Sequence, residues 1–215
     1  VVCLYVLDEE SAGLRARGGA SRWWLAQSLR SLEASLKPLG QTLVLRKGPA
    51  AKVVPDVARE AEASAVHANR VDTEPDRRVE QAVGHALRAL GISGKSFDGD
   101  VLAAPERLRG KENKGPRVFT PFWRRLQAQV EIPQPSPAPA HLPSGARLAS
   151  DGLDDWQFEP KRPDWAGGLR DSWTPGEGAA QRRLDEFLGE AIRGYATDRD
   201  RPDRPATSRL SPHLA

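Results

Sequence analysis

"VVCLYVL" at residues 1–7 and "QTLVLR" at residues 41–46 bracket a helical pattern, and the reading of these three pieces decides the fold. Both runs hold a continuous rather than alternating apolar stretch, which suits strands covered on both faces in a parallel sheet. Between them leucines fall at 25, 29, 32, 36 and 39, the spacing of one helical face. Ser21 is the expected cap of that helix, and "KPLG" (37–40) ends it with Pro and Gly. A strand–helix–strand order with a right-handed crossover makes the two strands parallel.

The pattern repeats downstream. Residues 50–62 keep a helical period through Val53, Val54, Val57, Ala58 and Ala61, and "SAVHA" (64–68) reads as a strand. Residues 75–90 do the same through Val79, Ala82, Val83, Ala86, Leu87 and Leu90, with Thr73 as cap and Gly91 closing; "GKSFD" (94–98) is a weak further strand. The expectation is an α/β fold, a Rossmann-like parallel sheet of about four strands over residues 1–98 with flanking helices. No GxGxxG follows the first strand, so that dinucleotide fingerprint is absent, and "GG" at 18–19 reads as a flexible helix start.

The 215 residues carry a net charge of +3 with 28% charged and 39% hydrophobic residues, ordinary for a globular protein; a polyanion partner is permitted but not demanded. The single cysteine, Cys3, excludes an internal disulfide and a cysteine-rich zinc site. No apolar stretch approaches the roughly 20 residues needed to span a bilayer, so a cytoplasmic protein without a membrane partner is expected.

From residue 131 the composition changes. "EIPQPSPAPAHLPSG" (131–145) cannot form a helix or a central strand, because Pro lacks a donor and restricts its neighbour. Residues 131–172 read as a linker, and Trp156, Trp165 and, just past it, Trp173 suggest one packed on the protein surface. Then Thr174, Pro175 and Glu177 read as a capping box, and Leu184, Phe187, Leu188, Ala191, Ile192 and Tyr195 follow one helical stripe. The Arg- and Asp-rich stretch after it lacks periodicity. Ser211-Pro212 signals a helix start just before the sequence stops, and "VVCLYVL" begins inside an apparent strand; both suggest a piece of a longer protein. Thr207, Ser208 and Ser211 bring hydroxyls to a turn with exposed amides, a combination suited to phosphate.

"WTPGEGAAQRRLDEFL" followed by "GYATDRDRPDRPATSRLSPHL" resembles class I DNA photolyases of the photolyase/cryptochrome family, where W-x-P-G-E, Y-x-x-x-R-D-x-P and T-S-x-L-S-P-x-L open the flavin-binding helical domain. "GGASRWWLAQSLRSLEASLKPLGQTLVLRKG" (18–48) and "RVFTPFWRRL" (117–126) are similar to the antenna domain of that family. The resemblance implies residues 1–130 as an antenna domain lacking its first strand, a connector at 131–172, and the start of the FAD-binding domain at 173–215. It implies FAD binding by Tyr195, Thr207, Ser208, Arg209, Leu210 and Ser211, and contact of Arg199 with the DNA backbone. The family's electron-transfer tryptophans and active-site residues match positions beyond Ala215, so no catalytic residue and no metal ligand is assigned here. The implied activity is light-driven splitting of cyclobutane pyrimidine dimers by reduced FAD, with UV-damaged DNA as partner and a monomer as the working form. A cryptochrome-type photoreceptor is the alternative. Glu112 precedes Asn113 where folate-binding members carry Asn-Glu, and "HANR" (67–70) lacks an aromatic common there, so the antenna chromophore, of folate or deazaflavin type, stays open.

Overall fold

The elements follow the chain as strands and helices in turn. β1 (Cys3–Leu7), α1 (Gly19–Leu36), β2 (Leu43–Lys47), α2 (Ala50–Glu60), β3 (Ala65–Asn69), α3 (Glu74–Ala89) and β4 (Ser93–Phe97) make up the α/β region of this computed structural model. α4 (Phe119–Gln129), α5 (Gly167–Ser172), α6 (Glu177–Gly189), α7 (Tyr195–Asp198) and α8 (Ser211–Leu214) follow. The structure describes all residues except 72, 100, 109–114, 117, 132, 133, 135 and 215. Each sequence-predicted strand appears within about two residues of its expected place.

The strands form two pairs rather than one continuous sheet: β1 with β2, and β3 with β4. β3 and β4 run parallel in the register Ala65↔Ser93 to Asn69↔Phe97. The expected coverage of both faces holds for β2, whose Leu43, Val44 and Leu45 are buried, but not for β4, whose five residues are all exposed.

The chain divides into two compact units, one of residues 1–5, 16–45 and 141–215, the other of residues 6–15 and 46–140. In the first, Leu29, Leu36, Leu43 and Leu45 form a buried cluster, with Cys3, Tyr5, Leu25, Leu142, Leu153 and Trp156 packed against it. The Pro-rich stretch is thus held down at Leu142, Leu153 and Trp156. It also borrows backbone partners: Asp151 N–H donates to Leu45 O at 2.8 Å and Leu45 N–H to Ser150 Oγ at 2.9 Å. Gln41 Nε2 donates to Pro143 O at 2.7 Å, and Arg30 pairs with Asp154 at 2.6 Å and with Glu159.

Three local expectations are corrected. α1 is not capped by Ser21; Gly18 holds the N-cap position and accepts from Arg22 N–H at 2.9 Å, so Ser21 lies within the first turn. A Cβ on Gly19 would sit 2.7 Å from the Trp165 ring, so glycine permits the helix to start against that indole. The capping box of Thr174, Pro175 and Glu177 does not form either. Gly176, at φ +109, takes the N-cap position of α6, and a Cβ there would fall onto the Ser31 side chain. The apolar stripe from Leu184 to Tyr195 is broken: α6 ends at Gly189, a 3₁₀ turn covers Ala191–Arg193, and α7 begins at Tyr195. Gly189 and Gly194 weaken helix propagation at this point. Leu188, Ile192 and Tyr195 are exposed to 50%, 43% and 39%. Thr73 caps α3 as expected, its Oγ1 accepting from Asp76 N–H at 3.4 Å.

In the second unit, Asp8 fixes the start of α2. Its Oδ2 accepts from Ala50 N–H at 2.8 Å and Ser11 Oγ at 2.6 Å, and its Oδ1 from Glu10 N–H at 3.1 Å and Ser11 N–H at 2.9 Å. Desolvation pushes the Asp8 carboxyl pKa up, but the bonds from Ala50, Ser11 and Glu10 outweigh it and hold it below the ordinary 3.8. The ionised carboxylate therefore adds stability at neutral pH, and that contribution is lost as pH falls below 3.8 through the depressed value. Asp8→Ala should lower unfolding stability at pH 7 by about 1–2 kcal/mol, the usual effect of losing a helix cap. Its urea midpoint should also fall less between pH 5 and pH 2 than that of the parent; equal acid sensitivity would remove the assignment. Gly176→Ala should destabilise by about 1–3 kcal/mol through its backbone strain and the clash with Ser31, read in the same unfolding experiment.

Candidate functional site

The residues assigned to flavin by resemblance all fall in the first unit, on α7, α8 and the loop between them. Tyr195 opens α7. Its ring meets Phe187 edge-on at 5.7 Å, and the Arg199 guanidinium stands 5.7 Å from its centroid. Asp198 N–H and Thr197 N–H both bond to Gly194 O, closing the short turn that carries Tyr195.

The loop at 207–211 has few internal bonds. Leu210 N–H donates to Ser208 Oγ at 3.4 Å, and His213 N–H to Leu210 O at 2.9 Å. The amides of Thr207, Ser208 and Arg209 donate to no partner among the described residues. Ser208 is half-buried, while Thr207 and Ser211 are exposed. The Ser208 hydroxyl accepts from Leu210, which leaves its own proton to donate. Unpaired amides beside hydroxyls are the donor set an anion takes, and phosphate fits that set. Arg209 has φ +53, an uncommon conformation for a residue with a Cβ.

The surrounding charges are largely engaged with one another. Arg204 pairs with Asp198 at 3.0 Å, Arg201 with Asp203 at 2.7 Å, and Arg199 with Asp200 at 3.7 Å. The Arg201 bond holds the Asp203 carboxyl below its ordinary pKa. Arg199 has the longest of these ion pairs, to an Asp200 side chain 88% exposed, and is itself half exposed. Pairs of this kind contribute little to stability.

Sequence reasoning missed an aromatic group beside the loop. The Arg209 guanidinium stands 4.6 Å from the Trp173 ring centroid and that of Arg183 5.6 Å. Trp24 of α1 meets Trp173 edge-on at 5.8 Å and His213 at 4.9 Å. Burial, and then the charge of Arg183, lower the His213 pKa below its ordinary value. An open cavity of about 310 Å³ adjoins the group, lined by Trp24, Ser28, Ser31, Leu32, Ser35, Gly176, Glu177, Ala180 and His213. The "RWW" and "SPHL" stretches were the available signals. Their pairing depends on tertiary contacts that no spacing encodes.

Glu112, Asn113 and Arg117 lie outside the described residues. Of the remaining antenna candidates, the VFTPF stretch opens α4, and His67 meets Phe97 edge-on at 5.5 Å on an exposed part of the β3–β4 pair. Among the described residues, no group of three or more His, Cys, Asp or Glu is placed to hold a metal ion, and no helix is long and apolar enough to cross a membrane.

The chain is similar in sequence and in fold to known proteins. The DNA photolyase family model matches residues 1–140. A deoxyribodipyrimidine photo-lyase of Agrobacterium fabrum is 39% identical over the whole chain, which covers 44% of that protein. Cryptochrome-1 of Arabidopsis thaliana is 27% identical over the whole chain, covering 32% of that protein. A class III photolyase of Agrobacterium tumefaciens superposes with a TM-score of 0.91 at 38% identity, over 99% of this chain and 44% of its own. A Synechocystis cryptochrome gives a TM-score of 0.79 at 25% identity, over the whole chain and 46% of its own. The chain spans less than half the length of each of these relatives. The two-part likeness, in sequence and in fold, shows that this chain belongs to the DNA photolyase family.

Proposed function

We propose that a full-length protein carrying this chain is a light-dependent DNA repair enzyme, a deoxyribodipyrimidine photo-lyase acting on cyclobutane pyrimidine dimers. The observation that carries this reading is the 207–211 loop, whose unpaired amides and hydroxyls suit a phosphate group. Tyr195, Thr207, Ser208, Arg209, Leu210 and Ser211 would hold FAD, with Arg209 contributing its backbone amide. FAD held there in reduced form would supply the electron for splitting the dimer. Residues 1–130 would serve the antenna chromophore, 131–172 connect, and 173–215 begin the flavin-binding domain. The exposed Leu188, Ile192 and Tyr195 support the reading that further helices pack on this last region. Arg199 would hold a DNA phosphate near the lesion, fixing position rather than sequence. A damaged pair stacks poorly and is extruded at lower cost, which suits a repair site. The protein would act as a cytoplasmic monomer on UV-damaged DNA.

A photoreceptor of cryptochrome type is the second reading, favoured by the likeness of the whole chain to the Arabidopsis and Synechocystis cryptochromes. Strong, light-reversible binding to dimer-containing DNA separates the two.

In the full-length protein, Ser208→Ala or Ser211→Ala should weaken FAD binding. Each removes a hydroxyl donor to a charged group, about 1.5–3 kcal/mol. Titration of apoprotein with FAD reads this directly, and unchanged affinity in both variants would move the cradle elsewhere. Arg199→Ala should lower affinity for dimer-containing DNA and flatten its log–log salt dependence by about one unit, with flavin occupancy unchanged. A variant with normal DNA binding and depleted flavin would instead assign Arg199 to the fold of the 195–205 segment.

A further inference from the structure

The loop at 207–211 does not define its own shape. It has one long bond from Leu210 N–H to Ser208 Oγ, and Arg209 sits at φ +53, so the conformation must be held from outside. Two aromatic residues adjoin it, one in contact with Arg209 and the other packed on that first ring. Trp173, just ahead of α6, carries the guanidinium of Arg209, within the roughly 6 Å range of a cation–π contact. Trp24 of α1 touches Trp173 and also His213, two residues after the loop. The nearby carboxylates Asp198, Asp200 and Asp203 are engaged by Arg204, Arg199 and Arg201, and Arg209 forms no ion pair among the described residues. We propose that Trp24 and Trp173 are positioning residues that hold the 207–211 loop in its phosphate-binding shape, with the Arg209 side chain acting as the loop's anchor on Trp173 rather than as a phosphate ligand. This rests on the reading of that loop as the flavin-phosphate cradle.

The His213 ring packs edge-on against Trp24, where burial and then the nearby charge of Arg183 disfavour its charged form. The base of the clamp is itself fixed: Gly176 lets α6 approach Ser31 of α1 closely, three residues after Trp173. The amides of Thr207, Ser208 and Arg209 are left for the ligand.

The test is FAD titration of the full-length apoprotein carrying Trp173→Leu, Arg209→Gln, or both. Each single change should weaken FAD about three- to tenfold, the range of a cation–π contact. The double variant should bind about as well as the weaker single one, because both changes remove the same contact. Losses that multiply in the double variant would overturn the proposal. Trp173→Phe keeps an aromatic face and should restore affinity to within about twofold of the parent. A second readout does not depend on the fold of Trp173→Leu. Arg209→Gln should weaken FAD by the same factor at low and high salt, whereas a defect confined to low salt marks a direct ion pair with phosphate and ends the anchor role. If Ser208→Ala and Ser211→Ala also leave FAD unaffected, the cradle reading itself fails. If those two lose FAD while Trp173→Leu and Arg209→Gln do not, only the clamp fails.

Discussion

The buried leucine cluster of Leu29, Leu36, Leu43 and Leu45 is the constraint on which the first unit depends. A Pro-rich stretch cannot hold itself by backbone bonds, since each Pro removes a donor. It must therefore be placed by another surface. Leu142, Leu153 and Trp156 supply the apolar contacts, and Leu45 lends its amide and carbonyl to Ser150 and Asp151. Burial of this kind stabilises by about 25 cal/mol per Å² of apolar area, which outweighs the ordering of an extended chain only where the surface is continuous. The same leucines that make α1 a helix thus decide where the tryptophans downstream come to rest.

α1 shows how one helix serves two purposes. Trp23, Ala26, Leu29 and Leu36 are buried, while Trp24, Ser28, Ser31, Leu32 and Ser35 line an open cavity. The leucine spacing marks the helix correctly but not its inner face, because Leu32 is exposed and Trp23 is among the most buried side chains. Large aromatic residues override a leucine count when they fill more of the core.

The strands, the order of helices and the caps at Thr73 were legible because local chemistry sets them. Strand pairing, the start of α6 and the break after Gly189 were not. Gly176 takes the cap position for its backbone freedom and its closeness to Ser31, a contact made across more than a hundred residues. Asp8 caps a helix that begins at Ala50, which no N-terminal signature near residue 50 reveals. At the site, the residues carried by resemblance came out on one short stretch, while Trp24, Trp173 and His213 emerged only from packing.

Arg209 places opposed demands on one position. Its backbone, at φ +53, would be more comfortable as glycine, whereas its side chain is what rests on Trp173. Glycine would relax the turn and release the loop, widening the range of shapes it samples before a ligand arrives. A strained arginine narrows that range at some expense in folding free energy. The feature therefore bears on how long a ligand stays as well as on how tightly it binds: a loop held from outside opens less often, and slow opening means slow exchange.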